Sequence, residues 1–100
     1  MAEKVVVYWR DIPAQVIVKA GRKTAKRQLT ERFEQAIDRA AMRAKLTGTD
    51  AYLEQWHRAD PVPCGDDLEA EATAAAEALE TEFSAERLRE LVANGGHASA

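Results

Sequence analysis

Val5-Val6-Val7-Tyr8-Trp9-Arg10-Asp11-Ile12-Pro13-Ala14-Gln15-Val16-Ile17-Val18 decides how this chain folds. A β-branched and aromatic run, a polar break and a second β-branched run make the pattern of two short strands. Between them Asp11-Ile12-Pro13-Ala14 supplies turn chemistry: Asp accepts hydrogen bonds from nearby backbone amides, and Pro13 fixes its own φ while pushing Ile12 out of the helical region. An N-terminal antiparallel β-hairpin is expected. Gly21 ends its second strand, and Arg22 to Leu29 follows with Arg22, Lys23, Lys26 and Arg27, either as an edge strand completing a three-stranded meander or as an exposed connector. On an edge strand those charges discourage pairing with another chain.

From Thr30 the periodicity becomes helical. Thr30 is placed to cap, Glu31 suits the positive helix N-terminus, and Phe33, Ala36, Ile37, Ala40, Ala41 and Ala44 share a face, predicting a helix to about Leu46. Thr47-Gly48-Thr49-Asp50 ends it and starts a short segment in which Tyr52, Leu53 and Trp56 are expected inward. Asp60-Pro61-Val62-Pro63-Cys64-Gly65 reads as a stiff loop, because two prolines forbid a helix there. Asp66 with Glu69 resembles a capping box at the head of a helix carrying an apolar stripe of Leu68, Ala72, Ala75, Ala76, Leu79 and Phe83. Ser84 is placed to cap a last helix with Leu88, Leu91 and Val92 inward, and Asn94-Gly95-Gly96 stops it. The fold class that results is α+β, with the N-terminal hairpin or three-stranded meander packed against three to four α-helices. Residues 1–96 read as one domain and 97–100 as a frayed C-terminal tail.

One hundred residues suffice for one hydrophobic core and not for two. Cys64 is the single cysteine, so no internal disulfide forms, and a reducing compartment follows. The opening residues are too short an apolar run for a signal-peptide core or a membrane span, so the expected location is cytoplasmic. The net charge of −3 conceals a division: residues 1–50 carry a net +5 and residues 51–100 a net −8. Such polarity holds the two halves together, or presents a basic surface to one partner and an acidic one to another.

Tyr8, Trp9, Arg10, Asp11, Pro13 and Gln15 gather aromatic, charged and amide chemistry at the end of the hairpin. Alternation puts Tyr8 and Trp9 on opposite faces, so one ring is a candidate for surface recognition beside Arg10; the competing reading buries both rings. Lys19, Arg22, Lys23, Lys26 and Arg27 extend this into a basic surface. Nucleic acid is the weaker use of segment 19–27, which lacks interleaved aromatics and any helix-turn-helix or finger pattern. His57, Cys64, Asp66 and Asp67 lack the paired spacing of a metal site, and no metal or other cofactor is expected. No nucleophile, base and orienting acid fall into a catalytic pattern. A share in a composite active site, through Arg10, Asp11 and Arg39, stays open as an alternative.

Several stretches together resemble a known family: VVVYWRDIPAQVIV at 5–18, ERFEQAIDRAAMRA at 31–44, TDAYLEQW at 49–56, DPVPCGDDLEAEA at 60–72 and LVANGG at 91–96. The chain is similar, from about Lys4 to Gly96, to a small bacterial family labelled "virulence factor", with Tyr8 to Ala14 and Glu31-Arg32-Phe33 as its clearest marks. The resemblance implies an accessory role beside corrinoid- or folate-dependent methyltransferases in one-carbon metabolism, and assigns no catalytic residue. The expected function is therefore a non-catalytic adaptor that binds a protein partner.

Overall fold

β1 (Ala2–Trp9) and β2 (Ile12–Ala20) form the expected antiparallel hairpin in the computed structural model, which describes residues 2–46 and 50–97. Trp9 pairs with Ile12, so the turn is only Arg10-Asp11, and Arg10 takes a left-handed φ of 53°. The turn thus lies earlier than Asp11 to Ala14, and Pro13 sits inside β2. It fits there because Val7 pairs with Gln15 while Tyr8 pairs with Pro13, leaving Ala14 as the extra residue of a β-bulge. A bulge interrupts the ladder and so tolerates a residue without an N–H.

β3 (Lys23–Gln28) pairs antiparallel with β2 and settles the fate of the basic segment as a third strand on the sheet edge. The Asp60 to Gly65 stretch is not a loop throughout. β4 (Trp56–Arg58) and β5 (Val62–Cys64) both pair with β1 on the side away from β2, giving the order β3-β2-β1-β4 with β5 also on β1. Ala59 N–H donates to the Val6 carbonyl at 3.0 Å, carrying the pairing into the break between the two pieces. Pro61 and Pro63 are accommodated because an edge strand need donate on one side only.

α1 (Glu31–Arg43), α2 (Asp50–Glu54), α3 (Leu68–Glu82) and α4 (Ala85–Ala93) complete the α+β fold. The periodic face of α1 is buried as the sequence predicts, with Phe33, Ala36, Ile37, Ala40 and Ala41 in the core. Its stop is a reversal at Lys45, φ 60°, where Lys45 N–H bonds to the Met42 carbonyl and Leu46 N–H to that of Ala41. Of the expected Thr47-Gly48-Thr49-Asp50 stop, residues 47–49 lie outside the described residues. Small alanines let α3 lie close over β2 and β3, and Val16, Val18, Ala25, Ala72, Leu79 and Phe83 share one continuous core with Trp9, Ile12, Leu88 and Leu91.

Two of the three expected caps differ in detail from expectation. Asp67, not Asp66, caps α3, accepting from Ala70 N–H at 3.2 Å, while Glu71 reaches back to Gly65 N–H at 3.0 Å. Ser84 caps α4 through Arg87 N–H as read from sequence. Thr30 makes no side-chain cap of its own helix. Its N–H and hydroxyl both donate to the Glu80 carboxylate, at 2.8 and 2.9 Å, so a side chain of α3 satisfies the head of α1.

Arg32 completes that joint by pairing with Glu80 and donating to the Glu80 and Phe83 carbonyls at the end of α3. Burial alone would raise the Glu80 carboxyl, but the hydrogen bonds from Thr30 and Arg32 outweigh it and hold the group below its ordinary value. A carboxyl depressed in the folded state stabilises above its unfolded pKa, here the ordinary 4.5, and that contribution disappears as pH falls through the folded value. Glu80→Gln is expected to cost about 1–2 kcal/mol at neutral pH. Urea midpoints measured against pH should show the gap between the two proteins narrowing below that carboxyl range; a constant gap would contradict the assignment.

Candidate functional site

The hairpin tip is tied down on three sides. Arg10 N–H donates to the Gln55 carbonyl at 3.1 Å and Asp11 N–H to that of Gly96 at 2.9 Å. The Arg10 guanidinium reaches Gln55 Oε1 through Nε (3.0 Å) and the Gly95 carbonyl through Nη1 (2.8 Å), and lies over the Trp9 ring. A left-handed arginine costs about 1–2 kcal/mol of backbone strain, and these bonds offset it. Trp9 is fully buried, its Nε1–H donating to the Tyr52 carbonyl at 3.0 Å. Pro13 is buried as well. Neither residue presents surface to a partner in this chain: at the tip, packing against α2 and the end of α4 prevails over exposure.

Tyr8 is half-buried and stacks on His57, ring centroids 5.6 Å apart, with His57 Nε2–H donating to the Arg10 carbonyl at 2.6 Å. Burial raises the Tyr8 phenol, and Glu82 and Asp11 push it further up against the opposing Arg87. Asp11 Oδ2 lies 4.0 Å from His97 Nδ1. Burial, with Glu71, likewise raises the half-buried Cys64 thiol. Both groups stay protonated at neutral pH, the wrong state for a general base or a thiolate nucleophile. Among the described residues no His, Cys, Asp or Glu group is arranged to hold a metal ion, and no helix is long and apolar enough to cross a membrane.

The basic segment divides. Arg27 is engaged by Glu69 at 2.6 Å and by Thr73 Oγ1 at 3.3 Å, fixing the edge strand to α3. Lys19, Arg22, Lys23 and Lys26 are exposed and make no ion pair among the described residues.

Register now divides the sheet into two faces. Val6, Val16, Val18 and Ala25 lie on the side covered by α3, so Val5, Val7, Gln15, Ile17, Lys19 and Lys26 lie on the other. Val5 and Ile17 pair with each other at its centre and are buried, yet stand outside the continuous core. Around them Glu3, Lys19, Thr24, Lys26, Gln28 and Arg58 are exposed. This face ends at Trp56, whose register partner is Trp9 and which is 37% exposed rather than inward. Leu53, also expected inward, is 63% exposed, while Tyr52 is half-buried.

Beside Trp56 a cleft of about 160 Å³ is lined by Tyr52, Gln28, Leu29, Ile37, Glu34 and Asp38 among others. Tyr52 and Trp56 meet edge to face at 6.3 Å. Burial raises the Tyr52 phenol, with Asp38 and Glu34 adding to the rise and a hydrogen bond from Trp56 opposing it. Sequence reasoning missed this end of the sheet. The available signal was Trp56-His57-Arg58, in which alternation separates Trp56 and Arg58 from His57.

A family model described as "Virulence factor" matches residues 7–92. Comparison with curated proteins and with solved structures finds no match.

Proposed function

This chain belongs to the virulence-factor family, and we propose that it is a non-catalytic adaptor that docks a protein partner on the sheet face turned away from α3. The observation that carries this reading is the end of that face, where Trp56 is 37% exposed beside the exposed Arg58, with Gln28, Lys26 and Lys19 exposed along the same face; Val5 and Ile17 at its centre are buried and offer no surface themselves. An exposed tryptophan among polar and charged neighbours is the kind of anchor that protein recognition surfaces use. The cleft beside Trp56 is smaller than the roughly 300–1,000 Å³ of drug-sized ligand sites, which favours a macromolecular partner. The partner class to test first is the one the family resemblance implied, a corrinoid- or folate-dependent methyltransferase. Lys19, Arg22, Lys23 and Lys26, without an ion pair among the described residues, favour nucleic acid as the second reading.

Affinity capture of the native protein, repeated with Trp56→Ala and with Lys26→Glu, tests it. Trp56→Ala is expected to weaken partner capture at least tenfold, about the effect of truncating an interface anchor, while far-UV circular dichroism stays that of the parent. Retention of the same partner by both variants would remove this face from the interaction. Recovery of nucleic acid alone, released by salt, would favour the second reading.

A further inference from the structure

α1 and α4 pack against each other, with Arg43 Nε donating to the Ala93 carbonyl at 3.1 Å. Between the two helices lies an open cleft of about 270 Å³, whose apolar lining includes Ala36, Leu88 and Val92 and whose polar lining is Gln35, Arg39 and Arg89, with Arg32 contributing as well. Arg32 is engaged by Glu80 and the carbonyls at the end of α3. Arg39 and Arg89 are exposed and, among the described residues, have no ion pair or side-chain hydrogen bond. The chain has 17 acidic residues, yet none lines this cleft.

We infer that this α1–α4 cleft is a docking groove for an acidic amphipathic helix of a protein partner. Two uncompensated guanidiniums, one from each helix, beside an apolar lining complement a segment whose leucine-like side chains enter the cleft while carboxylates flank it. Arginine forms bidentate bonds to carboxylates, and helix-in-groove docking reads apolar residues at helical spacing. A phosphate backbone would use the charges and leave the apolar lining unmatched, so a helix of protein fits the whole surface better. The groove shares no residue with the sheet face described above, so its failure leaves that reading standing.

The test uses the full chain and a fluorescently labelled peptide built of repeated Leu-Glu-Glu-Leu-Leu-Glu-Glu heptads, with a second peptide carrying Gln for every Glu. Anisotropy titration is expected to give saturable binding of the acidic peptide. Binding should weaken at least tenfold with Arg39→Ala plus Arg89→Ala and with the Gln peptide, as loss of charge-assisted bonds requires. Lys4→Ala plus Lys45→Ala, which touch neither the groove nor the sheet face, should leave it within about twofold, since surface charges elsewhere act only weakly. Arg39→Glu plus Arg89→Glu should bind the same peptide with Lys for Glu, which a misfolded variant would not do. Absence of binding, equal binding of the Gln peptide, or loss through the lysine pair instead of the arginines would each overturn the inference. Tighter binding of a single-stranded oligonucleotide through Arg39 and Arg89 would overturn it too.

Discussion

Trp9→Ala is expected to lower the unfolding free energy by about 4 kcal/mol, within the range measured when a buried aromatic is truncated to alanine. For a domain of this size that is a fall in melting temperature of roughly 15–30 °C, and it removes a large part of the 5–15 kcal/mol that typically holds a small protein folded. The physical cause is local and specific. Trp9 is fully buried, tilts against Tyr52 with ring centroids 5.6 Å apart, and carries the Arg10 guanidinium over its ring. Trp9→Phe keeps most of the apolar area and loses the bond to the Tyr52 carbonyl, for an expected cost of about 1–3 kcal/mol. Urea unfolding of the two variants with an unchanged slope would assign the difference to native-state packing. Near-parental stability of Trp9→Ala would contradict its place in the core.

Gly96→Ala is expected to cost about 2–5 kcal/mol, from left-handed backbone strain and overpacking together. Gly96 sits at φ 98°, and a Cβ there would lie 2.7 Å from Trp9 Cζ3 and 3.2 Å from Arg10 Cδ. Gly95 provides the internal comparison. Its φ is 69°, but a Cβ would meet Arg10 Nη1 at 3.4 Å, the far end of a flexible side chain. Gly95→Ala should therefore cost only about 1–2 kcal/mol, the backbone part alone. Near-ultraviolet circular dichroism, which reads tryptophan packing, should change for Gly96→Ala and stay parental for Gly95→Ala. Equal effects of the two would show that the contact with Trp9 is not what fixes Gly96.

The elements built from local rules were legible in the chain. The valine-rich hairpin, the periodic face of α1, the alanine stripe of α3, the Ser84 cap and the Gly95-Gly96 stop all follow from propensity and spacing. What the sequence did not disclose depends on distant partners. Pro13 reads as a turn residue until the slip between Val7 and Tyr8 provides a bulge for it. Val62-Pro63-Cys64 reads as a loop because the two prolines forbid a helix there, and only the free edge of β1 makes it a strand. Tyr8, Trp9 and Arg10 announce themselves as a recognition tip, but Gln55, Gly95 and Gly96 enclose that tip, and the exposed tryptophan is Trp56. Arg39 and Arg89 are separated by half the chain, and no spacing rule relates them.

The tie between Arg10 and Gly95 spans 85 positions of sequence, and it bears on how the molecule is made. During synthesis the hairpin leaves the ribosome first, yet the pocket that receives its tryptophan is closed only when Gly96 has emerged. Until then Trp9 and Arg10 lack the contacts with Gly95 and Gly96 that hold them in the finished fold. Folding that waits for so distant a contact is slow for its chain length and leaves a window in which a chaperone or a binding partner can engage the emerging chain.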